Sequence, residues 1–108
     1  MSYKIEVIQP SGILNGISGN QLRREVSDLI ENGVEILLID LKEVNFIDSS
    51  GLGSLVSAMQ IAKTANAKLF VCSVSDQVRM LFELTKIDRV IQTFIDQDDF
   101  KKQVLTTL

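Results

Sequence analysis

The segment VEILLIDL is apolar without interruption from Ile36 to Ile39. Four consecutive apolar residues leave no polar face for water, so the segment reads as a strand covered on both sides, the situation of a parallel sheet between helices. Its neighbours agree. Before it, SGNQLRREVSDLIENG carries Leu22, Val26, Leu29 and Ile30 at i, i+4, i+7 and i+8, one apolar helical stripe. Ser18 or Asn20 is suited to cap that helix, and Gly33 to stop it in the left-handed conformation. After it, a second helix places Leu52, Leu55, Val56, Met59 and Ala62 on one face and fades near TANAK, where Asn66 takes the left-handed stop.

The outer segments extend the pattern. YKIEVI alternates polar and apolar residues and reads as a strand with one exposed face, QPSG as a turn, and ILN as a short second strand pairing back on the first. KLFVCSV is another buried strand. Ser75 then caps a helix with Val78, Leu81 and Phe82 inward, and RVIQTFI supplies a short last strand. Asp96 and Asp99 open a terminal helix that buries Phe100 and Val104. The predicted order is β-β-α-β-α-β-α-β-α. This is an α/β fold: a mixed, mostly parallel sheet of about five strands with about four helices, the first hairpin providing an antiparallel pair.

With 108 residues the chain makes one domain with an ordinary core. It has no histidine, which removes Ser-His-Asp and Cys-His triads, histidine metal sites and histidine phosphorelays. Neither a catalytic residue nor a metal ligand set is expected, and no cofactor. Eleven basic against fourteen acidic residues give a net charge of −3 without a basic cluster, which argues against nucleic acid. No apolar segment is long enough for a membrane span, and the opening MSYKIEVIQP lacks the apolar core of a signal peptide, so a cytoplasmic protein is expected. The lone Cys72 lies within KLFVCSV and reads as a small buried hydrophobe rather than a reactive thiol.

In open α/β sheets function collects at the carboxyl ends of strands. NFIDSSGLGSL lies at one. If its helix begins at Gly51, Ser50 is the natural cap and Ser49 stands free; Gly51 then sits in an exposed first turn that tolerates substitution. Three readings of the junction remain open from its residues: a plain capped helix, a turn whose free amides hold a phosphate, and a serine that itself accepts a phosphate. The phosphate-binding turn lacks a phosphate-loop lysine.

The run LLIDLKEVNFIDSSGLGSLVSA, with KLFVCSVSDQVRMLFELTKIDRVIQTFID after it, resembles the bacterial anti-sigma-factor antagonists, which are single STAS domains. The resemblance covers nearly the whole chain, residues 1–108 as one domain. It implies that Ser49, directly after Asp48, is phosphorylated by a partner that is both anti-sigma factor and serine kinase. By the same resemblance the unmodified form binds that partner, the phosphorylated form releases it, and a PP2C-type phosphatase resets it. The chain is then a substrate and binding module, not an enzyme, and a monomer or weak dimer. The implied partner surface comprises Asn15, Ser18, Asp48, Ser49, Ser50, Gly51, Leu52 and Gly53, with Ser54 and Ser57 exposed beside them.

Two departures stand out. Where the family often has Gly-Glu-Leu-Asp, this chain has GILN, so Ile13 replaces the Glu and Asn15 the Asp. Where the family tends to place Gly after the Ser/Thr ending its third helix, Lys86 follows Thr85, and a local backbone difference is expected. A second reading is a STAS subunit of a transporter-associated or multi-protein signalling complex without a phosphate cycle. A third is a small nucleotide-binding enzyme, which the missing catalytic base disfavours.

Overall fold

The computed structural model describes residues 3–107. Six strands and four α-helices follow one another as β1 (Ile5–Ile8), β2 (Ser11–Leu14), α1 (Gly16–Glu31), β3 (Ile36–Asp40), β4 (Glu43–Ile47), α2 (Ser49–Thr64), β5 (Lys68–Cys72), α3 (Asp76–Leu84), β6 (Thr93–Phe94) and α4 (Gln97–Phe100). A 3₁₀ turn, Ile87–Arg89, precedes β6, and α4 widens into a π-type segment, Lys101–Leu105. The α/β fold read from the sequence is present, its main sheet running β1-β3-β5-β6 with every pair parallel.

The apolar segment Ile36–Asp40 is buried at every position because β3 lies between two other strands and has cover on both faces. Leu37 and Ile39 pack with Leu22, Val26, Leu55, Ala58 and Val78 on the helical side. Ile36 and Leu38 pack on the opposite side with Phe70, Phe94, Phe100 and Val104. There the rings of Phe70, Phe94 and Phe100 meet pairwise with centroids 5.5–5.7 Å apart and tilted or edge-on planes.

The expected antiparallel β1–β2 hairpin does not form. β2 instead pairs parallel with β4 in a separate two-stranded sheet. The strand β4 was hidden in the stretch between β3 and the junction: a turn bond from Val44 N–H to the Leu41 carbonyl breaks the chain there into two strands. β1 takes the edge beside β3, which leaves β2 free to carry Leu14 into the core beside Ile47. RVIQTFI is also shorter as a strand than expected, because Ile87–Arg89 closes a 3₁₀ turn and only Thr93–Phe94 pairs with β5.

The stops and caps divide in the same way. Gly33 (φ +91°) and Asn66 (φ +60°) hold the expected left-handed conformations, and Ser75 and Asp96 cap α3 and α4. The cap of α1, expected at Ser18 or Asn20, is Asn15. Lys86 takes φ +65°, a left-handed conformation that favours glycine, so the lysine bears strain at this stop.

Candidate functional site

The junction is built where β4 runs into α2. Asp48, with extended φ of −99° and ψ of 180° within a degree (−179°), is the N-cap, and its Oδ1 accepts from the Gly51 N–H at 2.8 Å. Its carbonyl accepts the first helical bond, from Leu52 N–H, at 2.9 Å. The expectation that Ser50 caps a helix starting at Gly51 is therefore corrected: the helix begins two residues earlier, and a carboxylate performs the capping because it reaches the third amide of the turn. Ser49 and Ser50 occupy the first two helical positions and both are exposed. Amides at these positions have no intrahelical acceptor, and the positive end of the helix dipole lies beneath them.

A second helix start stands alongside. Asn15 caps α1 through a reciprocal box: its Oδ1 accepts from Ile17 N–H at 3.0 Å and Ser18 N–H at 3.1 Å, while Ser18 Oγ accepts from the Asn15 N–H at 2.9 Å. The Ser18 hydroxyl also donates to the Ile13 carbonyl at 2.7 Å, tying the helix to β2. Asp48 N–H donates to the Leu14 carbonyl at 3.2 Å, so the heads of α1 and α2 are fixed side by side at the ends of β2 and β4. The neutral Asn15 performs the same cap that an aspartate would, and its Oδ1 and the Ser18 hydroxyl are already engaged.

The predicted site residues thus separate into three groups. Asp48, Ser49, Ser50 and Gly53 are exposed, and Asn15, Ser18, Ser54 and Ser57 are half-buried. Gly51 and Leu52 are buried, Leu52 within the main core. A Cβ on Gly51 would lie 2.6 Å from the Leu14 carbonyl carbon and 3.1 Å from the Asn15 nitrogen, and closer still to the Leu14 oxygen. The expectation of a tolerant, exposed position fails because α2 starts against the backbone of β2. Ser54, expected to be exposed, packs toward Gly19, where a Cβ would come 2.6 Å from its hydroxyl. Gly53 is the opposite case: a Cβ there meets nothing within 4 Å. Ser50 and Ser49 also differ. The Ser50 Cβ lies 3.7 Å from the place of a Cβ on Gly16, so Ser50 backs onto the head of α1.

The sequence reading missed Phe46 and Ile13. They are paired in register on β4 and β2 and expose 41% and 57% of their surface beside the turn. Strict alternation from the buried Val44 would have sent Phe46 inward; the only signal in the sequence is that Val44 and Ile47, three apart, both have to be buried.

Elsewhere, Cys72 is buried as expected, and burial pushes its thiol up to about 11. Asp40, 2% exposed, accepts from Lys42 N–H at 2.9 Å and from the Gln97 amide at 2.8 Å, joining β3 to α4. A cavity of about 450 Å³ between α3, β6 and the terminal helix includes Arg79, Phe82 and Asp99 and no residue of the Asp48–Gly53 turn.

Comparison with known proteins places this geometry. The STAS domain profile matches residues 3–99. The anti-sigma-B factor antagonist of Staphylococcus aureus is 26% identical over 83 residues, covering 77% of this chain and 74% of that protein. Among solved structures, the Bacillus anti-sigma factor antagonist SpoIIAA in its unphosphorylated form has a TM-score of 0.76 at 20% identity, over 94% of this chain and 89% of that one. The STAS domain of the Vibrio cholerae SulP transporter has a TM-score of 0.78 at 16% identity, over 99% of this chain and 86% of that one. At such identities the two structures speak for the fold alone. The profile, however, takes in both sheets and the junction in a single match, and on that ground the chain belongs to the STAS domain family.

Proposed function

We propose that the chain is an anti-sigma-factor antagonist whose binding is switched by phosphorylation of Ser49. The observation that carries this reading is the exposed Ser49 at the first position of α2, relieved of capping because Asp48 does that work. In the proposed cycle a serine kinase that is also an anti-sigma factor moves the γ-phosphoryl group of ATP to Ser49 Oγ. The hydroxyl proton passes to a base of the kinase, and ADP leaves. A PP2C-type phosphatase reverses the change by directing water onto phosphorus, which regenerates the hydroxyl and frees inorganic phosphate. The chain itself acts as substrate and binding module in the cytoplasm, as a monomer or weak dimer.

The physical sense of the switch follows from the caps. A phosphate carries roughly −1.5 to −2 charges at neutral pH, and the head of α2 favours an anion by roughly 0.3–1 kcal/mol when exposed, so the fold tolerates it. At a protein interface the same charge adds to Asp48 and has to be desolvated. An unpaired buried charge costs a few kcal/mol, and each 1.4 kcal/mol is about tenfold in affinity. Release results. Ser49 is preferred to Ser50 because Ser50 backs onto Gly16 and because the family resemblance points to the residue after Asp48.

The experiment is incubation with a cognate kinase and Mg-ATP, read by intact mass. Wild type and Ser50→Ala should gain one phosphate and Ser49→Ala none, while Ser49→Ala keeps binding and Ser49→Asp weakens it. Uptake by Ser49→Ala with none by Ser50→Ala moves the assignment by one residue. The likeness to the Vibrio cholerae transporter domain supports a second reading, a docking STAS subunit with no phosphate cycle. No phosphate on wild type under these conditions would favour it.

A further inference from the structure

Ile13, Ile17 and Phe46 remain unexplained by the fold, with 57%, 76% and 41% of their surfaces exposed. Phe46 is turned outward by a specific device. The β2–β4 register steps from Gly12↔Val44 to Ile13↔Phe46, so Asn45 is an extra residue, a β-bulge. The bulge reverses the alternation: Val44 and Ile47 are buried, and Phe46 faces out beside Ile13. Gly12, at φ +78°, supplies the backbone freedom on the facing strand where the register breaks. Bulges of this kind re-aim a side chain, commonly next to a functional site. Here the site is two residues on, at Asp48. Ile17 sits at the head of α1, which the Ser18 hydroxyl ties to the Ile13 carbonyl.

We propose that Ile13, Phe46 and Ile17 form the apolar half of the docking surface for the serine kinase, which covers them with an apolar cluster of its own while its active site reaches Ser49. The inference rests on the proposed function and names the chemistry of its contact. Three observations select this occupant. The patch is continuous with the phosphoacceptor turn, since Leu14 O accepts from the Asp48 N–H. The chain from Ile13 to Gly19 has no charged residue, so the covering surface has no ion to pair there. The three side chains together expose roughly 300 Å², the size of a functional patch but well under the about 800 Å² per partner of a stable interface. They fall short as the seat of a homodimer alone and suffice as part of a larger surface that includes the turn.

The test titrates the purified kinase that phosphorylates Ser49 against wild type, Ile13→Ser, Ile17→Ser and Phe46→Ser, with thermal melts of each. Binding should weaken about tenfold or more for Phe46→Ser and Ile13→Ser, as expected for a central apolar anchor. Phosphorylation of Ser49 should show a raised KM with little change in kcat, and the melts should stay near wild type. If Phe46→Ser unfolds, Ile13→Ser and Ile17→Ser decide. Folded variants that bind the kinase like wild type overturn the patch and leave the proposed function standing. Variants that lose only self-association in sedimentation assign the patch to a second copy and also overturn it. Wild type that neither binds nor accepts phosphate overturns both readings together.

Discussion

Replacing Gly51 by alanine tests the close seating of α2 on β2. The added Cβ would lie 2.6 Å from the Leu14 carbonyl carbon and 3.1 Å from the Asn15 nitrogen. These are backbone atoms, so no side chain can rotate away; either strand or helix has to move. Overpacking of this kind costs roughly 1–3 kcal/mol. Movement also strains the Asp48 N–H bond to the Leu14 carbonyl, which contributes about 1 kcal/mol, and disturbs Leu14, itself only 1% exposed. The helix-propensity gain of alanine over glycine returns about 1 kcal/mol. The net loss is then about 1–3 kcal/mol, a drop in Tm of the order of 5–20 °C for a domain of this size. Gly53→Ala provides the internal control: its Cβ meets nothing, so the same propensity gain should appear undiminished, raising stability by about 0.5–1 kcal/mol. Urea and thermal melts of both variants give the comparison. A Gly51→Ala protein as stable as Gly53→Ala would refute the close contact and with it the explanation of why glycine follows the two serines.

Other substitutions probe separate features. Lys86→Gly should gain about 0.5 kcal/mol, because relief of left-handed strain exceeds the added freedom of the unfolded chain; a loss in thermal melts would refute strain at this stop. Asp40→Ala should cost about 3 kcal/mol by urea titration, since it strands the Lys42 N–H and the Gln97 amide; a loss below 1 kcal/mol would show that the carboxylate does not hold α4 to the sheet. Cys72 gives a pH test. Its folded thiol ionises only near about 11, so the unfolded chain gives up the proton first as pH rises from about 9, and stability contributed by the thiol falls across that window and not below it. Melts of wild type against Cys72→Ala should show a constant difference from pH 6 to 8 that shifts toward the variant above about 9. A thiol reagent at pH 8 should leave the native protein unmodified.

What the sequence revealed, and what it concealed, follows from the range of the forces involved. Elements dominated by their own residues were legible: the β3 core segment, the stripe of α1, the caps at Ser75 and Asp96, the left-handed stops at Gly33 and Asn66. The pairing of β2 was not, because ILN carries no mark of its partner and β4 reads as the tail of a neighbouring run. Missing β4 displaced everything that depends on it. The strand end before Asp48 is legible, but a helix start placed at Gly51 rather than Ser49 passes over Asp48 as the cap, and Ser50 inherits the role. Without β2 beside β4, Gly51 has nothing to collide with and looks free. The bulge at Asn45 is a property of a pair of strands and is invisible in either alone. Local chemistry located the turn; long-range pairing decided which of its residues face outward.

That division bears on how a switch can work here. Asp48 occupies the third amide of α2, through Gly51 N–H, and leaves the amides of Ser49 and Ser50 without intrahelical acceptors. In the proposed cycle a phosphate on Ser49 arrives where donors remain and has no need to displace the cap. The fold beneath is expected to stay as it is, since α2 is seated through Gly51 directly on the backbone of Leu14. What changes is the surface. Beside the turn lie Ile13, Phe46 and Ile17, and the stretch from Ile13 to Gly19 holds no charge. An apolar contact gains from excluding water, whereas a phosphate next to a carboxylate holds water strongly, so the two cannot be satisfied under one partner surface. On the proposed function, binding by apolar burial and release by one added phosphate are two consequences of one arrangement: an apolar rim, without charge from Ile13 to Gly19, beside a turn that holds Asp48 and the exposed Ser49.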